Sequence, residues 1–206
     1  MLWRRTCCVL LAASLAWPST VFTAQTPAGP ALSVDSAAVA QRMLREATAA
    51  GRPFAIVDKR QAQMVVFDQF GRLAGVTAVL IGRTAGDHSV VGVGERTQTG
   101  RLLPGDTTTP AGRFNSEPGR NLQGEAIVWL DYDAALAIHR LRSGPAARDR
   151  ERRLRTASAG DNRASDGCVV VPPAFYERVV EPLLGRRAGV VYILPEDGQW
   201  QRFWET

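Results

Sequence analysis

The sequence has few of the residues that build metal, disulfide or nucleotide sites. Its 206 residues include 3 cysteines and 2 histidines. No zinc signature or phosphate loop occurs, and Gly92-Val93-Gly94-Glu95 lacks the third glycine of a dinucleotide fingerprint. A metal site would have to be built mostly from carboxylates. We therefore expect neither a metal nor a cofactor.

The sequence also lacks a strong charge bias and a long apolar run. Lys+Arg number 25 and Asp+Glu 20, and this net charge of +5 is too mild to imply a nucleic-acid partner. Hydrophobic residues make up 45% and charged residues 22%, which excludes collagen-like, disordered and disulfide-rich classes. The length fits one compact domain, or one domain with a small appendage. Positive charge is concentrated between Arg140 and Arg155, where seven arginines meet two acidic residues.

The N-terminal segment is typical of an export signal. Arg4 and Arg5 precede an apolar stretch of 11 residues from Cys7 to Trp17, which is too short to span a bilayer. We expect residues 1–24 to be a signal peptide and the protein to act in the periplasm or cell envelope; an uncleaved anchor is the alternative. Cleavage would leave a lone thiol, either buried and inert or kept as a reactive group.

The remaining chain predicts a mainly β domain, a sandwich or barrel-like core of mixed sheets with two or three helices. Residues 25–51 are interpreted as a linker and an amphipathic helix, and 52–206 as the domain, with an Arg-rich insert at 140–164. Residues 82–109, rich in Gly, Thr and Ser, predict a long surface loop. Apolar runs predict strands at 54–57, 62–68, 73–81, 126–130, 134–141, 168–171 and 189–194.

A second helix is predicted near the C-terminal end of the domain. Pro172-Pro173 is a typical helix start, and Gly185 a typical helix end. Apolar residues recur between these positions at helical spacing. We therefore expect this helix to pack one face against the sheets.

Cys168 is the candidate nucleophile because a turn-forming segment, Ser165-Asp166-Gly167, precedes it. Glycine allows a tight bend that brings backbone N–H groups to face one point beside the sulfur, as oxyanion stabilisation requires. A thiol with an ordinary pKa of about 8.5 also needs a base. His139 ends an apolar strand and can face a cleft, whereas His88 lies in a polar loop and is expected to be solvated. A buried structural cysteine and a core histidine are the alternatives.

From about Arg52 to Pro195 the sequence resembles the L,D-transpeptidase (YkuD-type) catalytic domain of bacterial envelopes. The resemblance is carried by the hairpin MVVFDQFGRLAGVTAVLIG, by TTPAGRF, by the strand ending at His139 and by Ser165-x-Gly167-Cys168. It implies a mainly β sandwich. It also implies a Cys168/His139 pair that forms a thioester with a peptidoglycan stem peptide and needs no cofactor.

The same resemblance implies roles for neighbouring residues. The backbone carbonyl of Arg140 would hold the histidine ring, and the N–H groups of Asp166, Gly167 and Cys168 would bind the oxyanion. The acyl acceptor stays open between another stem peptide, an envelope protein or lipoprotein, and water. Residues beside the turn are predicted to bind substrate: Asn162, Arg163 and Ser165.

Three features depart from the family pattern. Asp166 stands where histidine is usual, Val170 stands where asparagine or arginine is usual, and the 25 residues between His139 and Ser165 exceed the usual spacing. The long insert suggests a lid or an altered groove. Its arginines have three interpretations: a solvated helix face, a rim that binds stem-peptide carboxylates, or a peripheral contact with an anionic envelope surface.

Two other functions stay open. A catalytically silent cell-wall-binding module of the same fold is favoured by Val170 and the long insert. A sortase-like transpeptidase also has histidine before cysteine, but it expects Thr-Leu-x-Thr where this chain has Asp166-Gly167. Asp131 and Asp133, upstream of His139, are either solvated turn residues or orient the imidazole.

Overall fold

The computed structural model describes residues 31–45, 51–156 and 158–205. The predicted signal segment 1–24 and most of the predicted linker lie outside the described residues. The helices are α1 (Val34–Arg45), α2 (Val93–Thr99), α3 (Ala147–Arg153) and α4 (Pro173–Phe175), which continues as a π-helix over Tyr176–Gly185. The strands are β1 (Phe54–Asp58), β2 (Gln63–Phe67), β3 (Leu73–Ala78), β4 (Ile81–Gly82), β5 (Gly112–Asn115), β6 (Glu117–Arg120), β7 (Ala126–Asp131), β8 (Leu136–Arg140), β9 (Arg163–Ser165), β10 (Val169–Val171) and β11 (Val190–Ile193).

The strands form two mixed sheets and one small pair. The larger sheet has the order β3-β2-β1-β11-β5, with β1 and β11 parallel and the other neighbours antiparallel. The second sheet has the order β10-β8-β7-β6, in which only β10 and β8 are parallel. Strands β4 and β9 pair beside it, and Leu80 exchanges two backbone hydrogen bonds with Val170, so β10 is flanked on both edges.

The main core lies between the two sheets. Alternate side chains of β1 serve two cores, because successive residues of a strand face opposite sides. Ala55 and Val57 face the second sheet, and Phe54 and Ile56 face α1. The π-helix contributes three buried side chains to the main core: Tyr176, Val180 and Leu184. The layers therefore follow the order α1, larger sheet, main core, second sheet. The outer face of the second sheet carries a cavity.

The predicted fold class is confirmed, and several details differ. The amphipathic helix and the helix opened by Pro172-Pro173 are present, although the second widens into π turns around the internal Pro182. The predicted strand 73–81 is interrupted after Ala78. The predicted surface loop 82–109 contains the helix α2. The capping residues at its two ends, Gly92 and Gly100, both have left-handed backbone conformations.

No helix among the described residues is both long enough and apolar enough to cross a bilayer.

Candidate active site

Parallel pairing of β8 and β10 brings His139 and Cys168 to one face of the second sheet. Val170 is the register partner of His139, and Cys168 lies two residues before Val170. Because side chains of a strand alternate, Cys168, Val170 and His139 project to the same side. Their neighbours Ile138, Val169 and Val171 project into the main core on the other side. The cysteine and the histidine are thus diagonal neighbours on adjacent strands.

Both side chains line one cavity of about 370 Å³ on this face. Cys168 and His139 are each half-buried, so they are accessible from the cavity without facing bulk solvent. The apolar part of the wall includes Ile127, Trp129 and Leu141. A half-buried thiol beside an imidazole in a concave, largely apolar pocket is an arrangement that can bind and attack a substrate carbonyl.

The His139 ring is held in one tautomer. Its Nδ1 lies 2.8 Å from the carbonyl oxygen of Arg140, the contact that the family resemblance implied. A carbonyl only accepts hydrogen bonds, so Nδ1 carries the proton in the neutral ring and Nε2 keeps its lone pair. Burial lowers the pKa of His139 to about 4, and the nearby Arg142 guanidinium acts in the same direction. The imidazole is therefore a neutral base at physiological pH.

The thiol is also neutral at rest. Burial raises the pKa of Cys168, and although the Arg142 charge opposes this shift, the net direction is upward. The Cys168 Sγ–H donates to the carbonyl of Ala135 at 3.4 Å. Both pKa shifts favour the neutral groups, so the arrangement can act chemically only if the thiol gives up its proton, for which Nε2 of His139 is an acceptor on the same face.

The turn before Cys168 is held by its own side chains. Ser165 Oγ donates to the Cys168 carbonyl at 2.6 Å and accepts from the Gly167 N–H at 3.2 Å. Gly167 has φ +124°, which disfavours any residue with a Cβ. The Gly167 N–H, one of three predicted oxyanion donors, is therefore occupied inside the turn. Among the described residues, the N–H groups of Asp166 and Cys168 have no acceptor within the protein.

The three residues predicted to bind substrate have other contacts. Asn162 is buried, and its side-chain amide donates to the Val79 carbonyl at 2.9 Å. Arg163 donates to both carboxylate oxygens of Glu196 at 2.8 Å. Neither residue lines the cavity, whereas Ser165 does, with its hydroxyl engaged in the turn. Substrate binding by these residues stays a prediction, and of the three only Ser165 lies at the cavity.

The acidic residues near the histidine do not orient its ring. Asp131 Oδ1 accepts the Ala134 N–H at 3.0 Å and so closes the turn between β7 and β8. Asp166 is half exposed and forms an ion pair with Arg83. His88 is exposed, as expected from its polar loop. Among the described residues, no group of three His, Cys, Asp or Glu side chains could hold a metal ion.

The charged residues of the cavity lining are three arginines and one aspartate, besides His139: Arg120, Arg142, Arg150 and Asp166. Arg142 is neutralised by Glu125 at 2.8 Å. Arg150 comes from α3 in the Arg-rich insert and has no acidic partner within the part of the chain that the structure describes. The insert therefore contributes to the cavity wall. The sequence does not predict Arg120 at the cavity, because β6 contains Pro118 and Gly119 and so has no strand-like pattern.

A Cys/His pair in a mainly β domain is the class of site that these features define. No protein-family model matches the sequence, and no curated protein is significantly similar to it. Solved structures are similar, and most of those found are described as L,D-transpeptidases.

Three of the similar structures illustrate the range of sequence identity, coverage and TM-score. The catalytic domain of an E. faecium L,D-transpeptidase is 18% identical over 70% of this chain and 98% of that one, with TM-score 0.36. Pgp2, a helical cell shape determining protein from Campylobacter jejuni, is 14% identical over 80% of this chain and 57% of that one, with TM-score 0.45. A fused Zn-dependent amidase/peptidase/peptidoglycan-binding protein from Clostridium acetobutylicum is 14% identical over 77% of this chain and 59% of that one, with TM-score 0.42.

The chain spans just under three fifths of the length of the last two proteins. At such identities the likeness concerns the fold alone, and function has to be argued from the geometry of the site.

Proposed function

We propose that the protein is an exported L,D-transpeptidase that transfers an acyl group from a peptidoglycan stem peptide through a Cys168 thioester. The observation that carries the proposal is the shared face of Cys168 and His139, with Nδ1 of the ring bound to the Arg140 carbonyl. That bond leaves Nε2 of this cavity-lining ring with its lone pair available as the base. An inert cysteine would need neither a place in the cavity wall nor a histidine with a fixed tautomer on the same face.

The proposed reaction has two acyl-transfer steps. Cys168 Sγ attacks the carbonyl carbon of an L,D peptide bond in a tetrapeptide stem while its proton passes to His139 Nε2. The tetrahedral oxyanion then collapses, the C–N bond breaks, and the terminal D-alanine leaves with the proton returned from Nε2. An amine acceptor then attacks the thioester and releases the thiol. Water in place of the amine would give L,D-carboxypeptidase activity.

The charge of the cavity supports an anionic acyl donor. Stem peptides end in carboxylates, and a guanidinium binds a carboxylate through two parallel hydrogen bonds. Arg150 is free to make such a contact, since it faces the cavity and lacks an acidic partner among the described residues. The acceptor can be another stem peptide or an amine of an envelope protein or lipoprotein. Among the other arginines of α3 and its C-terminal end, Arg152, Arg153 and Arg155 pair with acidic residues of the same segment, which leaves Arg148 for an anionic envelope surface.

The test is covalent trapping of the nucleophile. The protein is incubated with a carbapenem or a stem tetrapeptide, and intact mass spectrometry follows the adduct. We expect one adduct per chain, located on the peptide that contains Cys168, and release of D-alanine from the tetrapeptide. Cys168→Ala is the matched control and should gain no mass. Equal labelling of both proteins, or no adduct with the wild type, would contradict the proposal.

A silent wall-binding module is the second candidate, and Val170 favours it. Val170 lies between the two site residues, is buried against Leu80 and Leu141, and offers no polar contact to a substrate. Burial also raises the pKa of the thiol. A silent module would sediment with peptidoglycan equally well as wild type and as Cys168→Ala, and it would form no adduct.

Replacing Arg150 by alanine is expected to weaken donor binding without removing the chemistry. Loss of a charge-assisted contact of about 1.5–3 kcal/mol corresponds to a roughly 10- to 100-fold rise in KM for the tetrapeptide, with kcat changed much less. Arg148→Ala is the control, because Arg148 belongs to the same helix but does not line the cavity. Steady-state release of D-alanine measures both constants. An unchanged KM for Arg150→Ala would assign this arginine to the solvated face of the insert.

A further inference from the structure

Thr109 is buried next to the site and contacts the turn that carries the nucleophile. Its side-chain hydroxyl donates to the Gly167 carbonyl at 2.6 Å and accepts from the Gly82 N–H at 2.8 Å. The direction of the first bond is unambiguous because a carbonyl oxygen can only accept. Thr109 is 1% exposed, so water cannot replace these contacts. The hydroxyl therefore ties the Cys168 turn to the edge of β4.

The carbonyl that Thr109 binds belongs to the peptide unit that also contains the Cys168 N–H. The peptide bond is planar and trans, so its C=O and N–H point in opposite directions. Holding the Gly167 carbonyl toward Thr109 consequently fixes the Cys168 N–H on the far side of the peptide plane. That N–H has no acceptor among the described residues, and Gly167 at φ +124° has no Cβ to restrict rotation of the unit.

Thr109 is itself held in place by its surroundings. Lys59 Nζ, completely buried, donates to the Thr109 carbonyl at 2.9 Å. Gly82 allows the close approach of this loop: a Cβ at that position would lie 2.2 Å from the Thr107 carbonyl oxygen and 2.7 Å from the Thr109 nitrogen. These contacts fix the backbone that carries the Thr109 hydroxyl.

We propose that Thr109 is a positioning residue that orients the Cys168 N–H as the oxyanion donor by binding the carbonyl of the same peptide unit. The proposal rests on the proposed acyl-transfer function for its catalytic consequence. Thr109 does not contact substrate; it acts through the Gly167–Cys168 peptide. With the Gly167 N–H occupied by Ser165, the Cys168 N–H is the donor adjacent to the nucleophile, so its direction matters most.

The test separates oxyanion formation from thiol reactivity. Thr109→Val keeps the shape of the side chain and removes the hydroxyl, and Thr109→Ser restores it. We expect Thr109→Val to slow carbapenem acylation at least about tenfold, because one oxyanion donor is misdirected. Alkylation by iodoacetamide, which forms no oxyanion, should change less than about twofold. Thr109→Ser should acylate at nearly the wild-type rate.

Thr107→Val is the matched control for the loss of a buried hydroxyl in this loop. Thr107 Oγ1 bonds to Thr84 Oγ1 at 2.9 Å and does not touch the turn. Thermal unfolding monitors all variants, and Thr109→Ala replaces the valine variant if the latter does not unfold cooperatively. Wild-type acylation by Thr109→Val, or an equal loss of acylation and alkylation that serine does not restore, would overturn the proposal.

A second measurement tests the positioning role of Thr109 independently of acylation. If the wild type is not acylated, the proposed function fails, but this measurement can still be made. The amide resonance of Cys168 reports on the peptide unit that Thr109 binds. We expect it to shift in Thr109→Val, to return in Thr109→Ser and to stay in place in Thr107→Val. An unshifted Cys168 resonance in Thr109→Val would overturn the inference.

Discussion

Replacing His139 by asparagine is expected to slow acylation of Cys168 by about 10²- to 10⁴-fold at neutral pH, the usual contribution of a general base. The asparagine amide can still donate to the Arg140 carbonyl, which the Nδ1 proton of His139 reaches at 2.8 Å. What it lacks is Nε2. The variant therefore removes the base while keeping the contact that orients the side chain. His88→Asn is the control, because His88 is exposed.

The pH profile distinguishes loss of a base from loss of structure. Since the pKa of His139 is about 4, the wild-type ring is neutral from about pH 6 to 8 and the acylation rate should vary little there. His139→Asn can react only through the thiolate, whose pKa burial raises. Its rate should climb about tenfold per pH unit through the same range. A flat profile in the variant would contradict the role of His139 as base.

Stability gives a readout of His139 that is independent of activity. The folded-state pKa is about 4, below the unfolded value of 6.5, so the unfolded chain binds the proton more readily. The stability associated with the neutral ring is complete above pH 6.5 and is lost as pH falls toward 4. His139→Asn should lack this decline, which denaturant titrations at about pH 7 and pH 5 would reveal.

The sequence was sufficient to predict the fold class and to single out the two residues that share one face of the second sheet, because each has a local signal. His139 ends an apolar strand, and Cys168 follows a turn with glycine. Their meeting depends on the parallel pairing of β8 with β10, which are separated by the whole Arg-rich insert. Strand pairing at that distance is set by the packing of the core and leaves no periodic pattern to detect.

Residues that act through the backbone or from neighbouring strands escaped prediction. Thr109 has a motif, TTPAGRF, but nothing in it indicates that the hydroxyl binds Gly167. The sequence predicts that Asn162 and Arg163 bind substrate, but it does not indicate that their side chains contact Val79 and Glu196. Local propensity and spacing carry no information about which neighbouring segment will supply the hydrogen-bond partner of a polar side chain.

Replacing Lys59 by methionine is expected to destabilise the fold by about 3 kcal/mol, since it leaves one side of a buried ionic cluster without its partner. Lys59 is the only lysine of the sequence. Its Nζ donates to the Gly86 carbonyl, to Asp87 at 2.7 Å and to the Thr109 carbonyl, and lies 3.5 Å from Glu196.

The size of this effect follows from the exposure of the partners. The Lys59 side chain is 0% exposed, while those of Asp87 and Glu196 are 21% and 24% exposed. Water can partly solvate the two carboxylates after the substitution, and Glu196 keeps Arg163, so the loss falls at the low end of the range for buried pairs. Arg60→Met is the matched control. Arg60 is 50% exposed beside Asp35, and its loss should cost less than about 1 kcal/mol.

Acid titration of the Lys59 variant tests in which direction the pH of acid unfolding shifts. Burial raises the pKa of Asp87, but the hydrogen bonds from Lys59 and the Glu196 N–H lower it more, so the net pKa lies below the ordinary 3.8. A carboxylate with a depressed folded pKa contributes stability that is present above the unfolded pKa and lost as pH falls through the folded one. Without Lys59 this contribution shrinks, and acid unfolding should begin at a higher pH. Equal denaturant midpoints for Lys59→Met and Arg60→Met would mean that the two loops meeting at Lys59 are held by their backbone contacts alone.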